Sequence, residues 1–185
     1  MDSLMAALVA ALLVRASDPS PGLVAVISDR SQRIGATVAG VWLAMAATQG
    51  VAAAAGLLVA PHLSPNAARL LLAMTLLAAG ATALVPFKPV TIDTVHRPFT
   101  TTIVRLIASG LGDRAGFVTF AIAAGGVPAL AGIGGAIGGG IVLSGAAIAG
   151  EIVLAQLPRR AIGIVLGAIL LVAGAWIALS AFRLI

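Results

Sequence analysis

Apolar positions follow one another along this chain in long unbroken stretches, and polar residues gather in short groups between them. The stretches approach or exceed the roughly 20 residues that a helix needs to cross about 30 Å of hydrocarbon. They are continuously apolar rather than alternating, which predicts helices and argues against a membrane barrel. The pattern predicts an all-α integral membrane protein of six transmembrane helices: roughly Leu4–Ile27, Ile34–Val59, Ala67–Val85, Thr100–Ala124, Val127–Leu154 and Ala161–Leu179. The one long polar connection is Phe87–Pro98, with Lys88, Asp93, His96 and Arg97.

That connection divides the chain into a first three-span repeat over 1–87, a cytoplasmic linker over 88–98 and a second three-span repeat over 99–185. Leu76-Leu77-Ala78-Ala79-Gly80-Ala81 recurs as Leu170-Leu171-Val172-Ala173-Gly174-Ala175, and Leu63-Ser64-Pro65 falls at the same offset of 94 from Leu157-Pro158-Arg159. Asp18 lies 95 residues before Asp113, one small insertion away from the same register. Three spans per half make the second copy enter the membrane from the opposite side, so the expected architecture is a pair of inverted repeats, common among secondary transporters.

Composition narrows the picture. The chain has 185 residues, 61% hydrophobic and only 9% charged, too few charges to give a soluble domain its polar surface. The net charge of +5 is scattered over loop ends with little aromatic interleaving, which excludes a nucleic-acid partner. The absence of cysteine excludes disulfides, thiol catalysis and thiolate metal sites. The N-terminus lacks the basic region of a cleaved signal, so the first apolar run is expected to continue into the body of the protein. Arg30, Arg33, Lys88, Arg97, Arg159 and Arg160 follow odd-numbered spans, against Arg69 and Arg183 on the other side. The more basic side is expected to be cytoplasmic, with both termini outside.

Arg15, Arg105 and Arg114 remain inside spans, with Asp18 and Asp113 near the middle of the first span of each half. A charge at a helix centre costs about 2.5–3.5 kcal/mol on insertion scales, so each such residue calls for a partner or a function. Asp18 sits in Ser17-Asp18-Pro19-Ser20-Pro21-Gly22, and Asp113 has Gly110, Gly112 and Gly116 around it. Proline removes a helical donor and glycine relaxes the backbone, so both helices are expected to be interrupted there. Interruptions at matching places in two halves point to a substrate site near the midplane, and freed carbonyls with a carboxylate suit a hard cation. A plain structural pairing of acids with bases is the competing reading, with Arg15 and Asp18 three residues apart. Thr102, Arg105, Ser109 and Asp113 fall within about 80° on an ideal helix and are expected to form a polar stripe toward the bundle interior. Counting all three arginines, the membrane core would carry a net charge of about +1. The glycines of the fifth span, from Gly132 to Gly150, read as close helix packing, with gate flexibility the lesser reading. Glu151 is expected at an interface, Trp42 and Trp176 in packing or interface roles, and His62 and His96 in loops without a metal role.

Gly110-Leu111-Gly112-Asp113-Arg114-Ala115, with Phe99-Thr100-Thr101-Thr102 upstream, resembles the E-x-G-D-[KR]-[TS] motif of the Gdt-type divalent-cation/proton exchangers, the family of Golgi manganese and calcium transporters and their bacterial relatives. In the first half, Arg15-Ala16-Ser17-Asp18-Pro19-Ser20 matches that motif at Asp18 and Ser20. Both motif glutamates are replaced, by Arg15 and Gly110. The resemblance implies two inverted three-span repeats in a bacterial inner membrane, with Asp18, Asp113 and Ser20 as ion ligands, the two aspartates for a metal ion. Gly112 would then allow backbone approach, and Arg15, Arg105 and Arg114 would modulate the site. The function it implies is a secondary transporter exchanging manganese or calcium for protons, with no cofactor and no enzymatic activity. The partners expected are the lipid bilayer, the metal cation and protons, and an oligomer is compatible with the sequence. A second reading is the same scaffold with a changed substrate or lost transport. The third is an intramembrane aspartyl protease, from Gly110-Leu111-Gly112-Asp113 as G-x-G-D and Pro128-Ala129-Leu130 as P-A-L. Against it stand six spans where that family has nine, and no tyrosine.

Overall fold

The computed structural model describes residues 2–85, 95–110 and 112–182. Lys88, Asp93 and Arg183 lie outside the described residues, as do Leu111 and most of the polar connection. Among the described residues the chain is all helical: α1 (Asp2–Ala16), α2 (Ser20–Ser31), α3 (Ile34–Val59), α4 (Pro65–Ala83), α5 (Pro98–Gly110), α6 (Arg114–Gly125), α7 (Pro128–Gln156) and α8 (Arg159–Ala181). A single 3-10 turn, Ala60–His62, follows α3.

Four of these helices, α3 (with the 3-10 turn), α4, α7 and α8, are long and apolar enough to cross a membrane. The count rises to six if each of two bent pairs is one span: α1 with α2, bent by 69°, and α5 with α6, bent by 64°. The bends are where the sequence predicts interruption. Between α1 and α2 lies Ser17-Asp18-Pro19, and Pro21 enters the first turn of α2, where its missing donor is harmless. Between α5 and α6, Gly112 takes φ +90°, a left-handed conformation that glycine reaches without a Cβ clash. Asp113 then caps α6, its carboxylate accepting the Gly116 N–H at 2.6 Å. The four unbroken helices begin and end within about two residues of the spans read from hydrophobic pattern.

Small residues set the packing. α7 lays Gly134 on the Leu4 carbonyl of α1, and a Cβ at Gly138 would meet the Leu8 carbonyl at 2.5 Å and Ala11 at 3.0 Å. Gly135 and Gly139 of α7 lie against Gln49 and Met45 of α3. α3 in turn presents Gly40 to Phe99 and Thr102 of α5, and Gly56 to Phe120 and Ala123 of α6. Each bent pair therefore packs on the long helix of the other half: α1 and α2 on α7, α5 and α6 on α3. α4 and α8 pack together, with Gly80 against Gly167 and Leu171 and Gly174 against Ala73 and Leu77. With little hydrophobic drive between helices in lipid, these close approaches supply the dispersion contacts that hold the bundle.

Two large apolar cores result, with a small third one of Ala25, Ala146 and Leu154. One gathers Ala7 and Val14 of α1 with Leu76, Val118, Ala131 and Leu170. The other gathers Leu23 and Ile27 of α2 with Val41, Met45, Leu106 and Leu143. Val95, at the end of the polar connection, is buried in the second. The helix ends are tied in pairs. Ser3 Oγ accepts the Val127 N–H at 3.0 Å, so the start of α1 and the α6–α7 turn share one end of the bundle. At the other end α7 breaks at Gly150 (φ 76°), and the Asp29 carboxylate of α2 accepts the Glu151 N–H at 2.5 Å. Arg30 and Glu151, each about half exposed, pair there at 3.7 Å, consistent with an interfacial Glu151.

Gly138→Leu is expected to destabilise the bundle by about 1–3 kcal/mol through overpacking against α1. Gly145→Leu, where an added Cβ meets nothing within 4 Å, is expected to be close to neutral. Thermal unfolding of the purified protein in detergent compares the two; equal effects would mean that α1–α7 approach is not limiting.

Candidate functional site

Between the two large apolar cores, the two helix breaks bring four charges together. Arg15, in the last turn of α1, is 1% exposed, and its guanidinium reaches across to the other half. Arg15 Nη1 lies 2.5 Å from Asp113 Oδ2 and 3.3 Å from Asp18 Oδ2. Arg114, in the first turn of α6, reaches back: its Nη2 contacts Asp18 Oδ1 at close range and donates to the Ser17 carbonyl at 3.3 Å. Arg114 Nη1 lies 3.4 Å from Thr82 Oγ1 of α4. Ser20 Oγ donates to Asp18 Oδ2 at 2.8 Å and lies 3.4 Å from Arg15 Nη1. Each half's arginine thus pairs with the other half's aspartate.

The local sequence explains this geometry. Ending α1 at Ala16 turns the chain before Asp18, so Asp18 faces back over the last turn that carries Arg15. The left-handed Gly112 turns the chain the same way in the second half and leaves Asp113 at the head of α6, where its carboxylate also faces the helix dipole. Asp18 and Asp113 are about one-tenth exposed and Arg114 about one-sixth. Charges this deep interact through a weakly screened medium, so pairing them offsets much of the desolvation they suffer.

The structure therefore brings together Asp18, Asp113, Ser20, Arg15 and Arg114, with Gly112 as the turn that aims Asp113. Arg105 does not join them. Its side chain is exposed, without a hydrogen bond or ion pair among the described residues, because the chain bends after Gly110 and the ideal-helix register of α5 ends there. Ser109 is also exposed, its hydroxyl bonded to the Arg105 carbonyl at 2.8 Å, so the expected interior stripe holds only at Thr102 and Asp113. The cluster is accordingly balanced at two acids and two bases, not +1.

As a cation site the arrangement is already occupied from within. The two carboxylates converge on one point, and Arg15 Nη1 stands at it. Among the described residues no group of three or more acidic or histidine side chains could hold a metal ion. His62 and His96 are exposed and apart from the cluster. The position of the absent second-half glutamate does face the site: a Cβ at Gly110 would lie 3.9 Å from Asp113 Oδ2. For protease chemistry, the carboxylates are bridged by a guanidinium rather than by a shared proton, and Pro128 only opens α7 after the turn.

Sequence reasoning missed Gln49. It is fully buried on α3 at 0% exposure, with neither amide atom hydrogen-bonded, and its side chain meets Gly135 beside Thr119. One amide at the centre of the second apolar run was the available signal. Comparison with protein families, curated proteins and solved structures finds no match to this chain.

Arg15→Ala is expected to cost about 3–5 kcal/mol, because it strands two buried carboxylates. Adding Asp113→Asn should recover part of the loss, with a coupling of about 1 kcal/mol or more in a double-mutant cycle. Strictly additive effects on unfolding would show that the pair is not energetically coupled.

Proposed function

We propose that the chain is a secondary transporter of two inverted three-span repeats, whose central site is closed by its own arginines and takes a substrate other than a bare divalent cation. The reciprocal Arg15–Asp113 and Arg114–Asp18 pairing carries this reading. Inversion is supported by packing: adding the sequence offset of 94 to Ala73, Leu77 and Gly80 gives Gly167, Leu171 and Gly174, and the Gly80 contacts become the Gly174 contacts. The exchange of partners by the bent pairs, each on the other half's long helix, supports it too. Interrupted helices meeting at the junction of two such halves are where transporters of this architecture place their substrate. Rocking of one half against the other would have to part both ion pairs, so the cluster is the gate as well as the site. The excess of basic residues after odd-numbered spans supports both termini lying outside, and the tie of the start of α1 to the α6–α7 turn is compatible with these two sharing one side.

Divalent cation/proton exchange is the second reading, favoured by the convergence of Asp18, Asp113 and the Gly110 position on one point. It is disfavoured by charge. A dication would add two positive charges to a neutral, poorly screened cluster unless both arginines withdrew.

The native chain has no cysteine, so single-cysteine labelling has a clean background. Ser20→Cys in proteoliposomes is expected to react with membrane-impermeant maleimides from each face; reaction from one face only, under all solute conditions, would remove the transporter reading. Manganese- or calcium-sensitive dyes are expected to report no uptake driven by a pH gradient in the parent, and uptake in the Arg15→Glu, Gly110→Glu double variant. Parent uptake that is lost in Asp113→Asn would establish the exchange reading instead.

A further inference from the structure

The ion pairs leave polar atoms over, and these define what else the site can hold. Arg15 spends Nη1 on Asp113, Asp18 and Ser20; its Nε and Nη2, along the other edge of the guanidinium, have no hydrogen-bond partner among the described residues although the residue is buried. Gln49 has neither Oε1 nor Nε2 partnered. Asp113 Oδ2 is held in the ion pair with Arg15 Nη1 at 2.5 Å and accepts no other hydrogen bond among the described residues. Buried polar groups are rarely left in this condition, since each forfeits its hydration without return.

Arg15 and Gln49 reach α7 one turn apart, and Asp113 Oδ2 lies against the Arg15 guanidinium. Arg15 Nε lies 3.7 Å from where a Cβ of Gly139 would stand, and Gln49 Oε1 lies 2.7 Å from that of Gly135. Gly135 and Gly139 are successive turns of one α7 face. Gln49 and Thr48 are neighbours on α3, and Thr48 packs on Gly110 beside the Asp113 carboxylate. The unsatisfied donors are an arginine edge and an amide N–H, and the acceptors are an amide oxygen and a carboxylate oxygen.

The four surrounding charges cancel, so a ligand with a net charge would enter without a counter-ion. A ligand with both signs and no net charge matches the chemistry of the Arg15, Gln49 and Asp113 groups together. We propose that the site binds a small zwitterion of the α-amino-acid class, its carboxylate on the Nε–Nη2 edge of Arg15 and its ammonium between Gln49 Oε1 and Asp113 Oδ2. This rests on the transporter reading and names its substrate class. A carboxylate fits the flat two-donor edge of a guanidinium, which a lysine ammonium lacks.

The test is thermal unfolding of the full chain in lipid nanodiscs with each of the common amino acids, and with acetate and methylammonium as single-charge controls. At least one amino acid is expected to raise the unfolding temperature saturably, with acetate or methylammonium giving no comparable shift. Gln49→Leu is expected to fold with unchanged or higher stability, because it removes an unsatisfied amide, and to weaken the response about tenfold. Arg15→Lys keeps the charge, loses the edge, and is expected to abolish the response. No shift with any amino acid, an equal shift with acetate or methylammonium alone, or a full response in Gln49→Leu would overturn the assignment. Two-sided labelling of Ser20→Cys with no amino-acid response would remove this substrate class and leave the transporter reading standing; one-sided labelling with a response would do the reverse.

Discussion

A carboxylate cannot sit bare in hydrocarbon, and this chain buries two of them. Each is neutralised by an arginine from the opposite half, Arg15 to Asp113 and Arg114 to Asp18. Pairing within a half would satisfy the same electrostatics, as the contact of Arg15 with Asp18 shows. Pairing across halves does something further: the shortest contact of each acid is to the other half's arginine, so the pairs form only when the halves meet in register. The rest of the bundle is arranged to make that meeting geometrically open. α7 and α3 are stripped to glycine and alanine along the faces that receive α1, α5 and α6, and the helix breaks point the charged turns inward.

This dependence has a mechanical side. Small-residue faces permit close sliding contact, but they hold helices by dispersion alone, in a solvent as apolar as the helices themselves. The ion pairs are the directional interactions at the junction, and they are few. In a bundle joined by smooth faces and a small set of directional contacts, those contacts fix the register of the helices. Gly112 and Gly150, each at positive φ, place a turn at two points of the bundle, one aiming Asp113 and the other receiving Asp29.

Much of this was legible in the sequence. The long apolar runs gave the four unbroken helices, because length and continuity decide that question without tertiary knowledge. Proline and glycine around Asp18 and Asp113 gave the breaks, because each acts on the backbone locally. Arg105 was misplaced for the same reason read backwards: helical phase was carried from Thr102 to Asp113 through Gly110 and Gly112, and a phase does not survive a bend. The partner of each charge was not legible, since pairing across more than 90 residues depends on how the halves pack. Gln49 was invisible because one amide in an apolar run looks the same whether it faces lipid, a neighbour or a ligand.

The charge balance of the cluster bears on the motif it resembles. A pair of E-x-G-D-[KR]-[TS] motifs holds four acids and two bases, leaving two negative charges that one dication would cancel. In this chain Arg15 replaces one glutamate, Gly110 the other, and Pro19 stands where the first motif has its base. Two acids and two bases remain, and the balance is reached with no ion bound. Both arrangements obey the same requirement, that a site deep in lipid be neutral when closed. What differs is who supplies the cation: a diffusing ion in one case, a tethered guanidinium in the other. A tethered cation cannot leave, so a ligand that entered such a site would have to bring its own charge balance with it. That physical consequence separates this chain from the cation exchangers it resembles more sharply than the count of matching motif residues does.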